Sequence, residues 1–244
     1  MFGAFSPSKR LFRNLDLLAF FLGLLAFGVA ISSSEPKPIH RPAASQTQTP
    51  RKTSTPYAGD LSIFEEKGRD ERLQINRVMD ILKIQAGSSV ADIGAGSGWF
   101  TVRAAKRVGS AGLVYAEDIN PAAIAYIQER AQRDGVQNLR AILGKEDDPL
   151  LPDASVDAVL ILKTYHEFAN PVLVLKNLRK SLRPGALVGI IDRNGAGDDH
   201  GVNREVVLDE AGRAGYVLVE QYDFVKPDRE DYFLVFHLRD EHSR

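Results

Sequence analysis

Val90-Ala91-Asp92-Ile93-Gly94-Ala95-Gly96-Ser97-Gly98, with Asp118 about twenty residues further on, is the stretch that decides the fold. Its first four residues read as a buried strand, its glycines as a loop, and the residues from Gly98 to Val108 as the helix that follows. A strand–loop–helix junction of this kind aims backbone N–H groups and the positive end of a helix dipole at an anionic group on a ligand. Glycine is needed because a side chain would hold the ligand off the backbone. An acid closing the next strand, here Asp118, accepts hydrogen bonds from a ribose diol. A ligand with a ribose and an anionic tail follows.

The spacing narrows that ligand. A dinucleotide fingerprint, G-x-G-x-x-G/A, requires a third small residue for close helix–strand packing. Counted from Gly94 that position is Trp99, and counted from Gly96 it is Thr101. Neither suits, and the observed pattern is D-x-G-x-G-x-G.

Reading outward, Leu73, Val78, Ile81 and Leu82 recur at helical spacing, with Gly87 ending the segment. Strands are predicted over 89–93, 113–117, 139–143, 156–162 and 187–191. Val156 to Leu162 is apolar at nearly every residue, as a central parallel strand covered on both faces should be. Asn120-Pro121 and Asn170-Pro171 each read as an N-cap followed by proline at the first helical position. Gly135 ends the first of these helices, Arg183-Pro184-Gly185 the second, and a further helix spans 203–214. Tyr216 to Phe224 and Tyr232 to His237 read as a closing antiparallel hairpin. The expected fold class is α/β: a doubly wound, seven-stranded, mostly parallel sheet with an antiparallel edge strand.

On the D-x-G-x-G-x-G motif and this order of elements, the chain resembles the class I S-adenosylmethionine-dependent methyltransferases. It is most similar to the type 11-like enzymes of quinone biosynthesis and small-molecule methylation. The resemblance covers about three quarters of the chain and implies the Rossmann-like methyltransferase fold and S-adenosyl-L-methionine as cofactor. It implies that Asp92, Gly94, Gly96 and Gly98 hold the methionine end of the cofactor and that Asp118 takes the ribose hydroxyls. Glu117 is expected to be a solvated neighbour. Many relatives carry an acid directly after the glycine that follows the third strand; here Lys145 stands there, and the stretch reads either as one in which Glu146 or Asp147 takes the adenine contact or as a solvated acidic loop.

Lys163-Thr164-Tyr165-His166-Glu167-Phe168 follows the fourth strand, and ligands of open α/β sheets bind beyond the carboxyl ends of the strands. Methyl transfer needs positioning above all, and a general base only where the acceptor has a proton to lose. His166 is the candidate catalytic base, with helix capping or packing beneath the cofactor as its other roles. Tyr165 reads as a packing residue. Asp192, Arg193 and His200 are candidates to line an acceptor pocket, His200 reading better as a surface-loop residue. Relatives that methylate base amines carry N/D-P-P-Y where this chain has Lys-Thr-Tyr-His, and arsenite methyltransferases depend on cysteines that it lacks.

The chain has 244 residues, 44% of them hydrophobic, enough for one sizeable core. A formal net charge of −1 gives no basic face for nucleic acid, so no nucleic-acid partner is expected. With no cysteine there are no disulfides or thiolate sites, and no metal site is expected. Lys9, Arg10 and Arg13 precede an apolar run from Leu17 to Ile31, and Ala30-Ile31-Ser32 resembles a cleavage site. Residues 1–34 thus read as a signal peptide that exports the protein to the periplasm, or alternatively as a membrane anchor through residues 15–32. Residues 35–59 read as a disordered linker and 60–244 as the methyltransferase domain. The expected partner is a small-molecule or membrane-dissolved acceptor. The alternatives are an NAD(P)-dependent oxidoreductase, against which Trp99 speaks, and a non-catalytic cofactor-binding module.

Overall fold

A computed structural model of the protein describes residues 50, 51, 53, 57, 59–196, 200–226 and 228–239. Seven strands make one sheet: β1 (Ser89–Ile93), β2 (Leu113–Asp118), β3 (Leu139–Leu143), β4 (Val156–Leu162), β5 (Leu182–Arg193), β6 (Tyr216–Tyr222) and β7 (Asp231–Leu238). Their spatial order is β3-β2-β1-β4-β5-β7-β6. The first five pair in parallel, while β7 runs antiparallel between β5 and β6. The doubly wound sheet with antiparallel pairing at one edge is therefore present. Chain order reverses between β1 and β4, which opens a crevice beyond their carboxyl ends.

Among the described residues six α-helices accompany the sheet: α1 (Arg69–Leu73), α2 (Ile75–Ile81), α3 (Trp99–Val108), α4 (Pro121–Arg133), α5 (Pro171–Leu178) and α6 (Arg204–Arg213). The strand β4 shows why they are needed. Val159 and Ile161 pack into one buried cluster and Ala158, Leu160 and Leu162 into another, so the strand is covered on both faces. Asn120 Oδ1 caps α4 by accepting from the Ala122 amide at 2.9 Å. At the corresponding place before α5 the Asn170 side chain makes no cap bond.

Two expectations change. The single helix expected around Leu73–Leu82 is two short ones, broken at Gln74, whose φ of 47° is left-handed. Arg183-Pro184-Gly185 does not end a helix. The helix α5 stops at Leu178, and the Pro-Gly pair bulges inside β5, between the pairings Val156↔Leu182 and Ala158↔Leu187. The Arg183 guanidinium there binds the Asp157 carboxylate at 2.9 and 3.1 Å, and Asp157 also accepts from the Ser89 amide at 2.8 Å. Those bonds satisfy the one acid in an otherwise apolar strand.

The apolar run at 17–31, and with it the signal or anchor expectation, lies outside the described residues. Among the described residues no helix is long and apolar enough to cross a membrane. Within the segment expected to be a linker, Arg51 is fastened to the domain. Its amide donates to the Ala169 carbonyl at 2.8 Å, and its guanidinium donates to the Tyr165 carbonyl at 2.9 Å and the Phe168 carbonyl at 3.2 Å. Its remaining arm pairs with Glu210 at 3.4 Å, and Glu210 also accepts from the Tyr165 hydroxyl at 3.0 Å. One arginine thus ties the turn after β4 to α6. Replacing Arg51 with Met strands a buried carboxylate and two carbonyls, and is expected to cost about 2–3 kcal/mol. Urea unfolding checks this, and an Arg51→Met/Glu210→Gln pair is expected to recover part of the loss.

Candidate active site

Beyond the carboxyl ends of β1, β2 and β4 lies a cavity of about 550 Å³. Its wall is the glycine loop from Gly94 to Ser97, Asp92, Glu117 and Asp118 on one side, and Lys163, Thr164, His166 and Glu167 on another. Phe64, Trp99 and Phe168 add aromatic surface. This is the concave, partly apolar shape that small ligands and cofactors require.

The loop is built differently from its sequence-level expectation. Two of the amides expected to face an anionic ligand already have partners in the protein. The Gly96 amide donates to Asp118 Oδ2 at 2.8 Å, and the Gly94 amide approaches Glu117 Oε2 at 3.4 Å. Asp118 Oδ1 accepts from the Asn120 amide at 2.9 Å. A carboxylate offers about four acceptor positions, so Asp118 retains lone pairs for a ribose diol. The buried Ser97 hydroxyl, on the cavity wall, has no partner among the described residues.

Three carboxylates crowd this end. Asp92 is 2% exposed and its Oδ2 accepts from the Thr101 hydroxyl at 2.6 Å; burial raises its pKa to about 6 despite that bond and the nearby Arg69 charge. Glu117 is not the solvated neighbour expected. It is buried, and burial together with the Asp118 charge holds its carboxyl well above the usual range. Its carboxylate lies over Gly144, where a Cβ would overlap it. Burial also raises the pKa of Asp118. Arg69, itself lowered to about 10 by burial, lies 4.4 Å from the Trp99 ring centroid, and Arg103 sits 4.0 Å from it.

The sequence-assigned residues divide. Asp92, Gly94, Gly96, Asp118, Glu146 and His166 all line the cavity. Gly98 does not; it sits behind the loop, where a Cβ would press on Ile127 at 3.2 Å, and so serves the packing of α3 on α4. Asp147 does not line it either, and its carbonyl accepts from Asn177 at 2.8 Å. Both residues sit in the turn closed by the Lys145–Asp148 bridge, and of the two only Glu146 lines the cavity.

At the other end His166 is buried and bound to Asp192, which is fully buried at the end of β5. The Asp192 carboxylate accepts from the His166 amide at 3.0 Å and contacts Nδ1 at 2.9 and 3.1 Å. With Nδ1 engaged by the Asp192 carboxylate, Nε2 is the ring nitrogen left for the cavity. Asp192 was a candidate to line an acceptor pocket; it lies behind His166 and orients it. His200, a surface residue by sequence, is exposed but stands at the cavity mouth with its ring 5.9 Å from that of His166.

This fold and loop are those of a class I S-adenosylmethionine-dependent methyltransferase. The methyltransferase-domain family matches residues 84–209, just over half of the chain, and the chain belongs to it. Among curated proteins it is 34% identical over 84 residues to the aklanonic acid methyltransferase DauC of Streptomyces sp. strain C5, covering 34% of this chain and 38% of that one. It is 31% identical over 115 residues to the nocamycin O-methyltransferase of Saccharothrix syringae, covering 47% and 41%. The chain thus spans under half the length of these relatives. Among solved structures, a SAM-dependent methyltransferase from Aquifex aeolicus superposes with a TM-score of 0.66 at 23% identity, covering 72% of this chain and 95% of that one. The cofactor is S-adenosylmethionine, not a dinucleotide.

The site suits that cofactor. Its sulfonium and ammonium outweigh its one carboxylate, and the glycine-loop end of the cavity offers Asp92, Glu117 and Asp118, an unpartnered serine hydroxyl and a close-approaching loop. A cationic ligand favours ionised acids, so lowering the pH protonates Asp92 and weakens binding. Affinity is expected to fall about tenfold between about pH 7 and pH 5 from a group titrating near 6. Calorimetry in buffers of different ionisation enthalpy should show proton release on binding, and Asp92→Asn should flatten the dependence.

Gly94 has φ +69°, and a Cβ there would overlap the Thr164 side chain. Gly96 has φ +54° but its nearest neighbour for a Cβ is Phe64 at 3.7 Å. Gly94→Ala is therefore expected to abolish measurable cofactor binding. Gly96→Ala should cost only about 1–2 kcal/mol of backbone strain. Titration calorimetry with thermal melting separates the two.

Proposed function

We propose that the protein methylates a small molecule at an atom that carries a proton, presented at the His166–Asp192 end of the cavity. The observation behind this is the pinned imidazole. Asp192 fixes His166 on the Nδ1 side, and the free Nε2 faces the cavity that holds the glycine loop. S-adenosylmethionine supplies an electrophilic methyl carbon on its sulfonium. Asp92 and the loop would hold its methionine end and Asp118 its ribose, while His166 Nε2 takes the proton of the acceptor. The relatives named for aklanonic acid and nocamycin support a small-molecule acceptor, the second of them an oxygen acceptor. Leu61, Phe64, Phe168 and Val174 on the cavity wall suit an acceptor with apolar surface. The apolar run from Leu17 to Ile31 supports one dissolved in or presented at a membrane, with the domain exported or anchored there.

A screen with methyl-labelled cofactor over phenolic, enolic and carboxylic acceptors tests this. With an acceptor in hand, His166→Gln is expected to lower kcat about 10²–10⁴-fold with little change in cofactor affinity. Cofactor binding without transfer to any acceptor would instead identify a binding module. An unchanged kcat in His166→Gln would remove the base role.

A further inference from the structure

His166, Glu167 and His200 bring two imidazoles and a carboxylate to one place in the cavity wall. One ligand-capable atom from each lies within 4.8 Å of the other two, and His166 Nε2 is 3.9 Å from Glu167 Oε1. The three residues come from two segments: the turn after β4 gives His166 and Glu167, and the stretch before α6 gives His200. We propose that they form a binding site for a divalent transition-metal cation of the zinc class at the acceptor end of the cavity.

Three features favour this. First, the donor set is selective. Two imidazoles with one carboxylate suit zinc, cobalt, iron or nickel, whereas calcium and magnesium take oxygen ligands. Second, the buried imidazole is already arranged as a metal ligand. A metal-bound histidine commonly donates its other ring N–H to a carboxylate, which fixes its tautomer and raises its basicity, and Asp192 stands in that place against Nδ1. Third, three protein ligands leave open positions, as catalytic rather than structural zinc sites do, and here the site borders the cofactor cavity. Ligands about 2.1 Å from an ion stand roughly 3.3 Å apart, so some closing-in is needed. Glu167 and His200 are solvent-accessible and can supply it, with His166 as the fixed point.

The inference rests on the reading that the acceptor enters at the His166 end. An acceptor hydroxyl that ligates the ion gives its proton to water, so the ion takes over the part played by Nε2 in the metal-free protein. A bidentate acceptor, with two oxygens on adjacent atoms, would fill two open positions and is the class preferred.

Cobalt(II) is the probe, because its visible absorption reports coordination directly. The full-length chain, purified without a polyhistidine tag and stripped with chelator, is titrated with cobalt and then zinc. Expected are one cobalt per chain, a visible spectrum of a nitrogen- and oxygen-ligated ion, and displacement by zinc. His200→Ala and Glu167→Gln each lower the affinity at least tenfold with an unchanged melting temperature; both side chains are accessible, so neither variant tests the core. Absence of a cobalt spectrum, or the same affinity in both variants, overturns the site. A chain that binds no cobalt yet transfers methyl groups rejects the metal and leaves the proposed function standing. A chain that binds cobalt and transfers nothing does the reverse.

Discussion

The Gly96 amide donates to Asp118 at 2.8 Å, and the Gly94 amide turns toward Glu117, so the loop after β1 is held in place by the acids that end β2. A glycine loop with positive φ at Gly94, Gly96 and Gly98 has unusual conformational freedom. Without partners for its amides it would sample many shapes. Here the partners are carboxylates of the neighbouring parallel strand, fixed by the register Asp92↔Ala116 and Ile93↔Glu117. The bonds serve the loop and leave the acids crowded with Asp92 in a buried space. The protein carries this electrostatic cost in its free state, where burial raises all three pKa values. A cofactor with net positive charge relieves it. Binding and charge are thereby coupled in one structure.

The opposite wall depends on a similar arrangement. His166 is placed by Asp192 from β5 and carried on a turn whose carbonyls are tied down by Arg51. Thr164 packs so closely on Gly94 that the turn after β4 and the loop after β1 are in contact. The Thr164 hydroxyl also donates to the Gly94 carbonyl at 3.3 Å, so a disturbance on one side reaches the other through this residue. The switch point between β1 and β4 gives the cavity its position, and these polar attachments give it its shape.

Much of this was legible in sequence. The apolar runs at 89–93 and 156–162 gave their strands because central parallel strands bury both faces. The motif spacing and the family resemblance pointed to Asp92, Gly94, Gly96 and Asp118, and the structure brings the four to one cavity. The Pro-Gly pair at 184–185 could not, because the same dipeptide makes a turn or a bulge, and only the pairing of Arg183 with Asp157 across strands selects the bulge. Glu117 had a readable signal: it lies inside a strand that pairs on both sides, and a glycine, Gly144, follows the end of the next strand and leaves room for its carboxylate. Arg51 had none, since its partner Glu210 is 159 residues away and the local composition is that of a tether. His166 and Asp192 were each singled out, but their union needed the adjacency of β4 and β5.

The most direct test of the coupling between loop and acids is a crystal structure of the protein with S-adenosylmethionine bound. That coupling predicts that the Gly96 amide stays on Asp118 while the ribose hydroxyls take the remaining acceptor positions of that carboxylate. A complex in which Asp118 swings away and the amides of Gly94 and Gly96 turn to the cofactor would contradict it.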